Sequence, residues 1–569
     1  MKYCTLEEFE NKVLNSNGDY YILSKNFFNI RNYETSLNHL SIFDKTERGT
    51  ISQDKEIVNK ILSVLKSDES KEKESKESKE KNESTKKTES TGKKELSEKN
   101  QSAEKTEITE KKELSEKIKS PEKNESLKEK ELLEKVESTE KTESTEKKEL
   151  SEKIESTEKK ESSEKTESIE KKELSEKNES TEKKDSSEKT ESIEKKELSE
   201  KVESTEKTKS TEKKELLKNL GISELEKSAI GSIMGMAIGD AMGSTYEFQN
   251  VEYDKIDLFD MERENEGNFN LEPGQWTDDS SMGLCLADSL LVNNGDLKIN
   301  DLMLRFLAWN FGGYNNAFRF NEKYGLNARR SIGLGGNISM ALYRYFNFHE
   351  DETQAGDKFT SGNGSIMRNA AIPICFYYDI NLACDKAKKQ SLSTHRGLEA
   401  KECCSLLTFI IITIFNEKEK KSLKEILDNI GDKFETSEYS VECLAKSKPE
   451  DNRLDRDWNW KKDKFYYNEQ RAKSNPGYIG SYAMDNMAMS LHIVYHTKSF
   501  KEAIIKAVNT RGDSDSVASV VGQIAGAYYP IEDIPSQWID RINKWDDGEI
   551  ALRGYMLSRI HSKKSKYDK

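Results

Sequence analysis

The sequence predicts an all-α globule carried behind a long low-complexity segment, and three observations lead there. Helical spacing of apolar residues dominates the C-terminal part, with clusters of Gly, Asn and Asp as its turn signals. No alternating strand pattern recurs, so a Rossmann-like sheet finds no support. Between about Lys66 and Glu215 the chain is almost entirely Lys, Glu, Ser and Thr, a composition with too little apolar surface to offset the entropy of ordering.

The first stretch, residues 1–66, reads as a small module of its own. Leu6, Phe9 and Val13 fall at helical spacing, Tyr20–Leu23 is a short strand candidate, and Ile57, Val58, Ile61, Leu62 and Leu65 form an apolar stripe. A core of this size is marginal, and neither a function nor a partner is assigned to it.

Residues 67–215 are the second stretch. The string K-K-E-L-S-E-K begins at Lys93, Lys111, Lys147, Lys171 and Lys195, with gaps of 18, 36, 24 and 24. All are multiples of six, so the unit is a hexapeptide close to S-T-E-K-K-E. Six residues advance a helix by about 600°, so the scattered Leu and Ile positions build no heptad seam. Glu–Lys pairs at i,i+4 support transient helix, while Ser and Thr oppose it. The segment is expected to be a disordered tether, separable from the chemistry that follows.

Residues 216–569 are the third stretch, with ordinary apolar content and six of the seven prolines. The whole-chain figures, 35% charged against 33% hydrophobic, therefore reflect dilution by the repeat. A formal net charge of −14 argues against non-specific binding to nucleic acid or to anionic membranes. The longest apolar run, Cys403–Phe415, falls short of the ~20 residues that a membrane span needs. Seven scattered cysteines without a C-x-x-C pair read as buried free thiols in a reducing compartment. With no N-terminal signal pattern, the protein is expected to be soluble and intracellular, cytoplasmic or nuclear rather than secreted.

Four strings carry candidate chemistry. In G-S-I-M-G-M-A-I-G-D-A-M-G-S-T-Y-E, Gly231, Gly235, Gly239 and Gly243 give a helix face without side chains, suited to close packing. Asp240 and Glu247 are what packing leaves unexplained. In G-Q-W-T-D-D-S-S-M-G, Thr277, Asp278 and Asp279 stand at a helix start, where ordinary capping also places such residues. In N-T-R-G-D-S-D-S, Asp513, Asp515 and Ser516 offer three oxygens where a cap needs one. Two oxygen-only clusters suit Mg²⁺ or Mn²⁺ better than zinc, which favours His and Cys. In S-G-N-G-S-I-M-R, the Gly362-Asn363-Gly364 turn has the composition of an anion nest. His395, in S-T-H-R, is one of six histidines, and a lone histidine is more often structural than catalytic.

Taken together and in this order, the four strings resemble the ADP-ribosylglycohydrolase family, over about Leu225–Tyr529. The resemblance implies an all-α orthogonal helical bundle with two Mg²⁺ or Mn²⁺ ions at its centre. It implies Thr277, Asp278 and Asp279 as one ligand group and Asp513, Asp515 and Ser516 as the other. Glu247 matches the acidic residue that guards the ribose. Gly362, Asn363, Gly364 and Ser365 match the loop around the ADP-ribose, and His395 a histidine near the nucleotide. Pro476–Asp485 matches the substrate-lining helix region.

The implied reaction is hydrolysis of ADP-ribose from modified protein side chains, with Glu247 and Asp279 as the acid–base candidates. The sequence also departs from the family pattern. Ser280 and Ser516 stand where Thr is frequent, and Arg511 replaces a common Gly. Residues Ser437–Asn475, with Trp458, Trp460, Tyr466 and Tyr467, look like an insertion, either a lid or a surface excursion. Thr360 and Ser361, in place of an aromatic before the Gly-Asn-Gly turn, favour an arginine linkage over a serine linkage. The alternatives are a non-catalytic ADP-ribose-binding module and a Mg²⁺-dependent nucleotide phosphohydrolase.

Overall fold

Four glycines spaced four apart leave one helix face bare of side chains, and the fold is assembled around that face. The computed structural model describes residues 48–66, 210–253, 267, 269–318, 331–348, 360–451, 453 and 455–567. Its principal helices are α1 (Arg48–Leu65), α2 (Glu224–Gly243), α3 (Asp278–Val292), α4 (Ile299–Gly312), α5 (Ile380–Leu392) and α6 (Leu398–Glu417). They continue with α7 (Ala483–His496), α8 (Phe500–Thr510), α9 (Ser514–Tyr528) and α10 (Glu549–Tyr567). Among the described residues there is no strand element, only three isolated bridges. The all-α expectation holds.

Helix α2 starts at a capping box. Ser223 Oγ accepts from the Glu226 N–H, and the Glu226 carboxylate accepts from the Ser223 N–H. Its glycine face lies directly on α9. A Cβ added at Gly231, Gly235 or Gly239 would sit 2.2, 2.1 or 2.0 Å from the carbonyl oxygen of Gly526, Gly522 or Ala518. Backbone touches backbone here, and no side chain could be interposed. Ser232 Oγ donates to the Gln523 carbonyl at 2.9 Å, and Ser514 Oγ to the Gly243 carbonyl at 2.7 Å, fixing the register. The contact brings Asp240 on α2 alongside Asp515 on α9.

Behind the site, α3 is tied to α10 by a buried ionic cluster. Arg553 Nε lies 2.7 Å from Asp288 Oδ1, and the Tyr314 hydroxyl donates to Asp288 Oδ2 at 2.7 Å. Burial alone would raise the Asp288 carboxyl, but Arg553 and then Arg305 hold it below the ordinary range.

The reading of residues 1–66 as a separate module fails for its described part. Val58, Ile61, Leu62 and Leu65 of α1 are buried in the same core as α2 and α10, and α1 packs on α10. The apolar stripe was correctly read, but its partner is the large unit. Lys55 pairs with Asp547 at 3.6 Å, just ahead of α10. Residues 1–47, with the helix and strand candidates placed there, lie outside the described residues, as does 67–209 of the expected tether. Residues 210–219 are helical and Leu217 is buried, so the boundary expected at 216 falls inside a helix. Lys213 Nζ donates to the Leu65 carbonyl at 3.1 Å. The described residues on either side of 67–209 therefore lie beside one another.

The six described cysteines are all free, and all but Cys384 are buried; Cys4 lies outside the described residues. Among the described residues, no helix is long and apolar enough to cross a membrane.

Candidate metal centre and active site

Asp240 organises the first acidic group. Both of its carboxylate oxygens are taken up by the start of α3. Oδ1 accepts from the Thr277 N–H at 2.9 Å and from Thr277 Oγ1 at 2.8 Å, and Oδ2 accepts from the Ser280 N–H at 2.8 Å. It caps α3 from another helix, satisfying N–H groups that lack an intrahelical partner. That cap aims Asp278 and Asp279 inward, and both are buried. Asp278 has room only because residue 333 is glycine. A Cβ there, at φ 84°, would lie 1.9 Å from Asp278 Oδ1.

The second group comes from the start of α9. Asp515 Oδ1 accepts from the Ser516 N–H at 2.8 Å, and its Oδ2 lies 3.4 Å from Thr277 Oγ1. The two groups therefore meet. Asp240, Asp279 and Asp515 each present a carboxylate oxygen within 4.8 Å of the others. Asp279 Oδ1 is fully buried with no hydrogen-bond partner. Burial first, then Asp515 and Asp240, pushes the Asp279 carboxyl well above the carboxylate range. Asp278 is raised in the same way. For Asp515 the causes are burial and Asp513. Buried carboxylates crowded together are held apart from stability by desolvation and repulsion, and a hard cation offsets both.

Glu247, just beyond α2, reaches this cluster. Burial first, then the neighbouring Asp515 and Asp513, pushes the Glu247 carboxyl well above the carboxylate range. Beside it, Phe248 contacts Tyr478 at 4.8 Å between ring centroids, and Tyr478 is 60% exposed.

Four loops close around the cluster by short backbone pairings. The Phe248 N–H donates to the Gly512 carbonyl, Gly512 donates to Gln249, and Asp513 donates to Ile479, each at 2.9 Å. The Asn363 N–H donates to Ser481 at 2.8 Å, and Ala483 donates to Ser361 at 2.9 Å. This pairing corrects the anion-nest expectation. The Asn363 N–H is already committed, and neither Gly362 nor Gly364 has the positive φ that an alternating nest uses. The Asn363 side chain instead donates to the Gly480 carbonyl at 3.1 Å and to Asp513 Oδ2 at 3.2 Å.

Behind that turn, Arg368 is buried and donates to the Gly364 carbonyl and to Thr394 Oγ1. Ser365 is buried, with Ser391 and Cys404 on its hydroxyl. His395 is packed against both glycines, its Nε2 3.4 Å from a Cβ placed on Gly362. Burial and then Arg368 pull it down to about 3, so it is neutral near pH 7 and supports the turn. Ser516 Oγ lies 3.5 Å from Met367 Sδ, at the edge of the acidic group.

The expected insertion is anchored at Trp458, Trp460, Arg456 and Arg471. Trp458 and Trp460 are buried, donating to Glu450 at 2.8 Å and to the Leu444 carbonyl at 2.7 Å. Arg471 grips Asp485 on α7 at 2.6 and 3.0 Å. Arg456 joins Glu399 to the Tyr482 hydroxyl. The segment braces Tyr482 and Asp485 rather than hanging off the surface.

Sequence reasoning missed Gly333, the Asn363 side chain and the bracing of Asp485. Each acts through a contact distant in sequence. The glycine run at Gly333, Gly335 and Gly336 was the one available signal.

The ADP-ribosylglycohydrolase family model matches residues 222–564. The chain belongs to the ADP-ribosylglycohydrolase family. Among its relatives, an ADP-ribosylarginine hydrolase, Tri1, of Serratia proteamaculans is 30% identical over 322 residues, 56% of this chain and 76% of the relative. The ADP-ribosyl-[dinitrogen reductase] glycohydrolase of Rhodospirillum rubrum is 26% identical over 328 residues, covering 57% and 92%. Human ADP-ribosylhydrolase ARH3 is 23% identical over 366 residues, covering 58% and 93%. The chain is thus a glycosidic-bond hydrolase, and the matched residues exclude α1.

Proposed function

We propose that this ADP-ribosylglycohydrolase removes ADP-ribose from arginine side chains of modified proteins, using a divalent cation pair. The observation that carries the reading is the meeting of two buried, oxygen-only groups, with an Asp279 oxygen that no protein donor satisfies. The donor set fits Mg²⁺ or Mn²⁺. Thr277, Asp278 and Asp279 would hold one ion, and Asp513, Asp515 and Ser516 the other. When bound, two such ions would supply Lewis-acid stabilisation and a lowered pKa for water.

The chain's own residues provide the rest. Asp279 accepts the proton of the water that attacks the anomeric carbon. Glu247 holds its proton against Asp515 and delivers it to the leaving nitrogen as the carbon–nitrogen bond breaks. The bond's electron pair goes to that nitrogen, and the water oxygen forms the new bond to carbon. Asp240 takes no part in proton transfer; it fixes the start of α3. Asn363 holds Asp513 in place.

Three features support the arginine linkage. A relative named as an ADP-ribosylarginine hydrolase is 30% identical, against 23% for human ARH3. Thr360 and Ser361 precede the Gly-Asn-Gly turn. An exposed aromatic, Tyr478, stands beside a carboxylate cluster, and that pairing suits a guanidinium. The test is ADP-ribose release from peptides carrying arginine or serine linkages at matched concentration. A several-fold preference for arginine is expected. Preference for serine overturns the linkage, and inorganic phosphate as product overturns the glycosidase reading.

A further inference from the structure

One residue before the acidic loop of α9, a non-glycine residue occupies backbone territory that belongs to glycine. Arg511 has φ 62° and ψ −154°, where a Cβ crowds its neighbouring backbone. Its own backbone does not call for an arginine, since its N–H simply donates to the Val508 carbonyl at 3.2 Å. The side chain gives a reason. Nη1 lies 2.7 Å from Glu252 Oε1, and the guanidinium sits 5.4 Å from the centre of the Tyr246 ring.

Tyr246 and Glu252 bracket Glu247 on one short loop. Three backbone hydrogen bonds already join that loop to residues 510–512: Phe248 to Gly512, Gly512 to Gln249, and Glu252 to Thr510. Phe248 also has a positive φ, 66°, so both partners of the pairing are strained. The loop carries a carboxyl toward Asp513 and Asp515, and crowded carboxyls favour its opening. A cation bonded across the two loops opposes that opening without entering the acidic cluster. The Arg511 side chain is 13% exposed and that of Glu252 38%, so the pair is half-open to solvent and acts together with the ring contact and the three backbone bonds.

We propose that Arg511 is a positioning residue, clamping the Glu247 loop through Glu252 and Tyr246 so that the Glu247 carboxyl stays against Asp515. The inference rests on the hydrolytic reading of the site. The strained backbone persists because the clamp needs a long cationic side chain at this position.

Arg511→Gly, Glu252→Gln and the double variant, each in the full chain, test it through kcat, KM and the thermal midpoint. Each single change is expected to lower kcat about tenfold or more, with KM little moved, because the reacting geometry is lost rather than binding. Arg511→Gly should keep or raise the midpoint, since glycine accepts this backbone. The double variant should lose no more than the worse single one, as members of one contact do. Unchanged kcat in either single variant, losses that multiply in the double, or a midpoint that collapses in Arg511→Gly each overturn the clamp. A wild type that releases no ADP-ribose overturns the hydrolytic reading and the clamp together. An active wild type with unaffected variants overturns the clamp alone.

Discussion

Asp279 concentrates the tension of this molecule in one side chain. It is 1% exposed, has a carboxylate oxygen without a donor, and is crowded by Asp515, Asp240 and Asp278. Asp279→Asn should reduce turnover by roughly a hundredfold or more while the far-ultraviolet circular dichroism stays that of the wild type. The same change should stabilise the cation-free protein, because one buried charge is removed. The size of that gain depends on pH in a defined direction. The folded-state pKa of Asp279 stands well above its value of about 3.9 in the unfolded chain. The carboxyl therefore contributes fully below about pH 4, and the contribution is lost as pH rises toward the raised folded value. The midpoint difference between Asp279→Asn and wild type should widen from pH 4 to pH 8 without cation and shrink when Mg²⁺ is added. A difference that is flat with pH would contradict the burial argument. The acidic cluster was legible in the sequence only in part. Asp513, Asp515 and Ser516 offer more oxygens than a cap uses. Thr277, Asp278 and Asp279 look like ordinary capping until the structure sets Asp279 beside Asp515 and Asp240. The role of Asp240 was not legible, since its hydrogen-bond partner Thr277, just ahead of α3, lies 37 residues later.

Helices α2 and α9 meet along bare backbone, and that contact sets the separation of the two acidic groups. Gly235→Ala would place a Cβ 2.1 Å from the Gly522 carbonyl oxygen, and Gly522→Ala one 1.9 Å from the Gly235 oxygen. Neither clash has a flexible side chain to absorb it. Each substitution should cost roughly 3 kcal/mol by denaturant unfolding and weaken cation binding, because spreading the helices parts Asp240 from Asp515. A neutral effect on both would show that the glycine face is dispensable. The spacing of four between glycines made this face readable from sequence alone. The Asp288–Arg553 pair was not readable, since its partners lie 265 residues apart. Arg553→Ala leaves the Asp288 carboxylate buried without its main cation and should destabilise by about 3–5 kcal/mol. The Gly-Asn-Gly turn shows the limit of composition. Glycine permits a nest, but the pairing of Asn363 with Ser481 uses the N–H that a nest would offer.

At the scale of the whole molecule, α1 changes what can be removed. The helix was visible as a stripe of Ile57, Val58, Ile61, Leu62 and Leu65, but a stripe does not name the surface it covers. Deleting residues 1–215 uncovers the apolar face beneath Val58, Ile61, Leu62 and Leu65, and should cost several kcal/mol of stability. Deleting only 67–209 keeps α1 in place and should leave the unfolding midpoint near that of the full chain. A specific protease site introduced within 67–209 should yield two fragments that co-elute on gel filtration, held together by α1. Separation of the fragments would return α1 to the status of an independent module. The two acidic groups, joined by the glycine contact, are proposed to make a cation-dependent ADP-ribosylarginine hydrolase. The most direct test of this proposal measures ADP-ribose release from an ADP-ribosylarginine peptide by the full chain after exhaustive chelation, and again after adding Mg²⁺ or Mn²⁺, beside Asp515→Asn. No release is expected after chelation, with recovery on adding the cation and none in the variant. Undiminished release by the chelated protein, or full activity in Asp515→Asn, would contradict the proposal.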